Sequence, residues 1–318
     1  MEHGMSVCEA LLAQTCPIRE RILEVISRLP WDGLNVRHRI PGLSLYRIVE
    51  PAGPFSSVYE PSLSLIIKGS KSVEVGDETI VYDESAFFLT AIGMPMKGRI
   101  RVASVEEPYV AAMLRLNLDM MRRLIVDHNL QPADLANRDR GVAVGAATPE
   151  LFDAFLRLIS LENSPDDLPF MVGHIQNEIF YRLLTGDQGA RLRRFVLSGT
   201  NSNRVAKAVA WVKDNYTIQL RIDELAEIAG MGVSTLHHQF RAMTGMSPLQ
   251  FQKHLRLHHA RELMAAGSID VATAALTVGY ESPTQFSREY RRMFGHPPLR
   301  DMKVIMSADI AIRAGSVG

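Results

Sequence analysis

The stretch Ile222-Asp223-Glu224-Leu225-Ala226-Glu227-Ile228-Ala229-Gly230, followed by Leu236, Phe240 and Gly245, decides the fold because its pattern recurs. Val271, Ala274, Ala275, Val278-Gly279, Phe286, Tyr290 and Gly295 repeat it at an offset of 49 residues before the turn and 50 after it. A small residue, Ala226 or Ala275, lets two helices cross closely, and Gly230 or Gly279 permits the sharp turn between them. Apolar residues four apart then dock a second helix and leave its other face free. Each segment has the logic of a helix-turn-helix unit. The bland alternative is an all-α bundle, whose helices need no matched Ala, Gly and aromatic positions.

Outward from the repeat, helical periodicity covers residues 204–216, 222–229, 234–244, 248–265, 271–278 and 284–294, with a short piece after Pro297-Pro298. The helix over 248–265 starts with Pro at its first turn. Its length of roughly 27 Å approaches the ~34 Å between successive major-groove faces on one side of B-DNA. One chain can therefore present two recognition helices to adjacent grooves. The polar run 198–203 reads as a linker, which divides the chain into domains of residues 1–197 and 198–318.

The front half has a different texture. Residues 17–29 read as an amphipathic helix, and short alternating segments follow at 43–49, 63–67, 72–75, 79–81, 86–90, 100–103 and 110–116. Lys68–Lys71 and Gly76-Asp77 read as turns. Such spacing predicts a small antiparallel barrel or sandwich. Asp119 is the expected cap of a helix over 120–128, and the Gly- and Ala-rich residues 137–148 read as a loop. Residues 149–161 and 169–184 are two strong helices, with 191–196 prolonging them.

Composition bounds the function. Of 318 residues, 35 are basic and 35 acidic, so the global balance is silent about nucleic acid. Residues 201–300 nevertheless carry 12 Lys/Arg against 8 Asp/Glu, together with six of the ten histidines. That modest local excess suits phosphate contact without a polybasic tail. Cys8 and Cys16 are too few for a disulfide framework and invite a redox reading against that of an ordinary tail. The start lacks a signal pattern, and no apolar run approaches the about 20 residues that span a bilayer. The expectation is a soluble, cytoplasmic protein without membrane contact.

With these words in place, residues 203–302 resemble the AraC/XylS family of transcription regulators. The resemblance rests on 222–230, on Ser234-Thr235-Leu236-His237-His238-Gln239-Phe240-Arg241 and on Thr244-Gly245-Met246-Ser247-Pro248. Leu255-Arg256-Leu257 with Ala260-Arg261, Val278-Gly279-Tyr280 with Phe286-Ser287-Arg288-Glu289-Tyr290, and Phe294-Gly295-His296-Pro297-Pro298 complete it. Residues 59–69 and 169–186 extend it to the subgroup with an AraC-type N-terminal region. The resemblance implies a sequence-specific DNA-binding regulator responding to a small-molecule effector, with a homodimer and RNA polymerase as further expected partners.

By helical spacing, Ser234, Thr235, His237, His238 and Arg241 lie on or near the outward face of the first recognition helix. The resemblance places base readers at Ser234, His237 and His238, although the family often has Arg where His238 stands. A neutral His offers one donor and one acceptor and reads bases less strongly than a bidentate Arg. The competing reading of both histidines is a solvated, non-contacting face. Pro283, Thr284, Gln285 and Arg288 project from the second recognition helix, with Arg288 the best single base reader. Arg241, Arg291 and Arg292 are phosphate candidates, or else a solvated basic face. His258 and His259 read as packing or surface residues.

The expected fold is therefore α+β, with a small antiparallel, cupin-like β-barrel and flanking helices in front. An all-α domain of two helix-turn-helix units joined by a long helix follows. Tyr46, Ile66, Phe87 and Phe88 are candidate effector-lining residues, with plain core as their alternative. A metal cupin needs about three His and a carboxylate, and residues 41–116 contain no His. No metal, cofactor or catalytic set is expected, and a barrel enzyme with an appended DNA-binding module stands as the alternative. Helices 149–161 and 169–184 either form a homodimer face or cover the barrel.

Overall fold

The alternating front half forms strands and the 3.6-residue patterns form helices. The computed structural model describes residues 7–32, 35–36, 38–130, 140–197, 199–267 and 269–303. The chain runs through α1 (Val7–Ser27), β1 (Trp31–Asp32), β2 (Asn35–Val36), β3 (Leu43–Ile48), β4 (Ala52–Tyr59), β5 (Ser62–Lys68), β6 (Ser70–Val75) and β7 (Glu78–Tyr82). It continues through β8 (Ala86–Thr90), β9 (Met94–Val102), β10 (Tyr109–Arg115), α2 (Leu118–Asp127), β11 (Val142–Ala146), α3 (Pro149–Ser160), α4 (Leu168–Thr185) and α5 (Gly189–Val196). Six helices follow: α6 (Asn201–Asp214), α7 (Ile222–Ala229), α8 (Val233–Thr244), α9 (Pro248–Ala265), α10 (Val271–Thr277) and α11 (Pro283–Phe294). Residues 298–303 add a last helical turn. Two compact units result, one chiefly of residues up to Asn203 and the other chiefly of residues from Arg204 on.

In the first unit the strands form two antiparallel sheets, ordered β1-β2-β3-β10-β5-β8-β11 and β4-β9-β6-β7. The sheets face one another without closing, so the expected barrel is an open one. Register assigns the faces. Ser64 pairs with Phe88, and Phe88 stacks at 5.2 Å on Tyr82 of the smaller sheet. The Ser64 side of the larger sheet therefore looks at the smaller one. The opposite side carries Leu65 and Phe87, directly paired with each other. Leu151 of α3 and Leu183 of α4 close over Phe87.

Several local expectations change. The first helix begins at Val7 and runs through Pro17. Arg19 accompanies the extra turns, donating to Leu12 O, to Thr15 Oγ1 and across to Ile67 O of β5. The cap of α2 is Asn117, whose Oδ1 accepts from Met120 N at 3.0 Å, while Asp119 pairs with Arg122 instead. Of residues 137–148, read as a loop, 137–139 lie outside the described residues. Val142–Ala146 is a strand, paired with β8 along its length. The linker is shorter than its polarity suggests. Helix α6 starts at Asn201, and Asn203 is buried, donating its amide to Phe195 O at 2.9 Å.

Candidate nucleic-acid interface

The first helix-turn-helix unit is α7 and α8. Helix α7 stops because Gly230 adopts a left-handed conformation (φ 61°), with its N–H donating to Glu227 O and the next N–H reaching Ala226 O. Leu225, Ala226 and Ala229 are buried on α7, and Leu236 and Phe240 on α8 are fully buried. Phe240 packs edge-on against Phe251 of α9 at 5.4 Å. Sequestering each such side chain contributes about 2–3 kcal/mol. That docking leaves Ser234, Thr235, His237, His238 and Arg241 exposed along one side of α8. Neither α7 nor α8 has a side-chain cap at its N-terminus.

The second unit, α10 and α11, repeats the geometry with more polar buttressing. Asp270 accepts from Thr273 N at 2.8 Å to cap α10, and Ser282 accepts from Gln285 N to cap α11, with Pro283 at its first turn. Phe286 and Tyr290 are fully buried, and Pro283, Thr284, Gln285, Arg288, Arg291 and Arg292 are exposed. The Tyr290 hydroxyl donates to Asp301 Oδ2 at 2.7 Å. Arg261 of α9 grips the same carboxylate with two donors, at 2.8 and 3.2 Å. Burial and the adjacent Asp301 raise the Tyr290 phenol above its ordinary range, so it stays a donor.

Helix α9 holds the two units in one frame. A capping box of Ser247 and Gln250 starts it. Arg256 donates to the carbonyls of Tyr216, Thr217 and Ile218, and Gln252 donates to those of Tyr216 and Ile218. The turn of the second unit rests on the same segment. A Cβ on Gly279 (φ 89°) would collide with the Thr217 carbonyl oxygen. Gly279 therefore serves close backbone approach as well as the turn. Burial pushes the His258 imidazole down to about 3, next to the Phe294 ring, while His259 stacks on Tyr216. Both are packing residues.

The structure thus brings all eleven expected DNA-facing residues to the exposed sides of α8 and α11. It adds residues that sequence reasoning passed over: Gln252, Lys253, Tyr280, Glu289 and Asp301. Tyr280 and Glu289 sit within the family words, yet their partners lie elsewhere in the chain. Lys253 Nζ lies 2.9 Å from Glu289 Oε1, and the Tyr280 hydroxyl donates to Glu289 Oε2 at 2.8 Å.

In the first unit, Tyr46 and Ile66 both pair with Ala111, on the side of the sheet that also carries Phe88. Phe87 points the other way, into a cleft of about 110 Å³ under α3 and α4. Three of the four effector candidates therefore share the inner face and one does not. Lys71, which the sequence reading puts in a turn, belongs to β6 and lies opposite Tyr82 in register, with its ammonium 5.7 Å from the Phe55 ring. Burial pushes that ammonium down to about 8. Cys16 is half-buried, its thiol facing Glu20, and the side chain of Cys8 lies outside the described residues.

Comparison with known proteins gives two family-model matches. Residues 39–191 match the N-terminus of AraC-type transcriptional regulators, and residues 225–303 match a helix-turn-helix domain. The HTH-type transcriptional activator RhaS of Escherichia coli (strain SE11) is 30% identical over 103 residues, which are 32% of this chain and 37% of that protein. The match thus spans little more than a third of the relative's length. Among solved structures, apo ToxT from Vibrio cholerae strain SCE256 aligns over 85% of this chain and all of its own, with TM-score 0.54 and 13% identity. ToxT from Vibrio cholerae O395 bound to (E)-4-(8-methylnaphthalen-1-yl)but-3-enoic acid aligns over 83% and 98%, with TM-score 0.56 and 12% identity. At such identity the likeness is one of fold. No helix among the described residues is long and apolar enough to cross a membrane.

Proposed function

Since the chain belongs to the AraC/XylS family of transcription regulators, we propose that it binds double-stranded DNA at specific sequences through α8 and α11. The carrying observation is the pair of exposed polar helix faces, each backed by buried residues of its own helix and both tied to one 18-residue helix. Ser234, His237, His238, Thr284, Gln285 and Arg288 read base edges, while Thr235 and Pro283 line the groove beside them. Arg241, Arg291 and Arg292 hold phosphates and set the register. Residues 198–318 form the DNA-binding domain and residues 1–197 the effector-sensing and dimerising one.

The effector site is the inner face of the front unit, around Tyr46, Ile66 and Phe88. An apolar wall with the hydroxyl of Tyr82 and the cation of Lys71 suits a small apolar effector bearing an acidic group. The exposed rings of Phe170 (71%) and Tyr181 (40%) on α4 support a homodimer face there. Met171 (36%) on α4 is exposed as well, whereas Leu151, Phe155, Ile175 and Ile179 are buried within the unit. Effector binding shifts the population of a DNA-competent or polymerase-recruiting state.

Selection of bound duplexes from random DNA, repeated at raised salt, tests the reading. A defined motif that survives salt supports it; binding that collapses with salt and selects nothing sinks it. Arg288→Ala relaxes preference at one base position and costs about 1–3 kcal/mol at the preferred sequence. Equal loss on every sequence would reduce Arg288 to a phosphate contact.

A further inference from the structure

Glu289 is an unexpected residue on a DNA-reading helix, since a carboxylate near phosphates is repelled. Its surroundings explain why it is tolerated. Lys253 Nζ (2.9 Å), the Tyr280 hydroxyl (2.8 Å) and Gln285 Nε2 (3.2 Å) all donate to it. Burial would raise the carboxyl, but these donors outweigh it and hold the group below its usual range. The carboxylate is thus charged, compensated and fixed at the junction of α9, the turn and α11.

The consequence falls on Gln285. A free glutamine amide can rotate and flip, so it offers a base no defined order of donor and acceptor. Here a carboxylate can accept only from the amide nitrogen, which settles the flip. One N–H goes to Glu289; when it is the N–H anti to Oε1, the second N–H and Oε1 stand side by side. That pair is the complement of adenine, which presents N7 as acceptor and N6–H as donor in the major groove.

We propose that Glu289 is a positioning residue that sets base specificity, locking Gln285 into the orientation that reads adenine. The proposal rests on the reading of α11 as a recognition helix. It assigns Glu289 no contact with DNA. It also gives Lys253 and Tyr280 a part in specificity, because they hold the carboxylate that holds the amide.

The test uses the full-length chain, with base preference measured by duplex selection and by competition between single-base variants of the selected site. Gln285→Ala identifies the position that Gln285 reads, which is expected to be an adenine. Glu289→Ala is expected to lower discrimination at that same position by roughly tenfold, leaving the positions that depend on Arg288 unchanged. Gln285→Ala combined with Glu289→Ala is expected to discriminate no worse there than Gln285→Ala alone, since the two residues act as one unit. Glu289→Gln is nearly isosteric but offers Gln285 a donor as well as an acceptor, so it no longer settles the flip and is expected to lose the same preference with the fold intact; a folding defect in the alanine variant therefore does not decide the matter. Uniform weakening on all sequences by Glu289→Ala, or additive losses in the double variant, overturns the proposal. A wild-type chain that selects no sequence at all overturns the DNA-binding reading itself, and the proposal with it.

Discussion

Where α8 of the first unit buries Phe240 against Phe251, α11 of the second carries Tyr290, whose hydroxyl meets Asp301. Both partners are displaced by the same 50 residues. One half closes its core with two apolar rings, and the other closes it with a phenol, a carboxylate and the guanidinium of Arg261. Capping divides the same way, absent from α7 and α8 and present on α10 and α11. The difference teaches that a repeated backbone need not be held by repeated physics. A plain apolar dock tolerates repacking, whereas a directional polar network fixes one helix orientation and costs much when broken. The better-fixed helix is also the one that carries three exposed arginines.

The largest test of this asymmetry is Asp301→Ala. It leaves the half-buried Arg261 and the buried Tyr290 hydroxyl without their acceptor, and is expected to cost about 3–5 kcal/mol in urea unfolding. A loss below about 1 kcal/mol would place the second dock on the same footing as the first.

Next comes the matched pair of turn glycines. Gly279→Ala combines a positive φ with a collision against backbone and is expected to cost about 3 kcal/mol or more. Gly230→Ala meets only the flexible end of Arg204 and is expected to cost about 1 kcal/mol. Equal costs would break the comparison.

Acid should loosen the second half first. Folded His258 titrates at about 3, against 6.5 for the free side chain. The unfolded chain therefore takes up a proton that the folded chain refuses. Stability from this group is complete above about pH 6.5 and is lost as pH falls, by up to about 2 kcal/mol at pH 5. The residue 49 positions earlier, where the offset before the turn places its match, is the buried Val209. His258→Leu should flatten this part of the pH profile. An unchanged slope would show that His258 is not its source.

The smallest expected effect is at a cap. Ser282→Ala should cost about 1 kcal/mol, read as a lower melting temperature. Gly232, which opens α8, offers no side chain to remove. No measurable loss would mean that α11 gains little from its cap.

What was legible in the chain follows the range of the forces involved. The repeat 222–245 and 271–295 was readable because turn glycines, small crossing residues and paired apolar positions are local demands. Strand β4 was passed over because Gly53-Pro54 and Ser56-Ser57 read as punctuation. Strand β11 was missed because Val142–Ala146 carries small residues without alternation, Gly145 among them, where the Phe87 ring and Asp187 press close. Asn117 and Asp119 are both capping types two residues apart, and only geometry separates them. Outward-facing residues of α8 and α11 followed from helical spacing alone. Their supports did not, because Asp301 lies 40 residues from Arg261 and Glu289 lies 36 from Lys253. No local pattern records such pairings.

Base-by-base discrimination across the selected DNA site tests the account most directly. It predicts two patches of preference centred about 10 base pairs apart, the sharper one losing its strongest position on Arg288→Ala. The weaker patch should respond instead to His238→Ala. A single patch, or two of equal strength that ignore Arg288, would contradict the account.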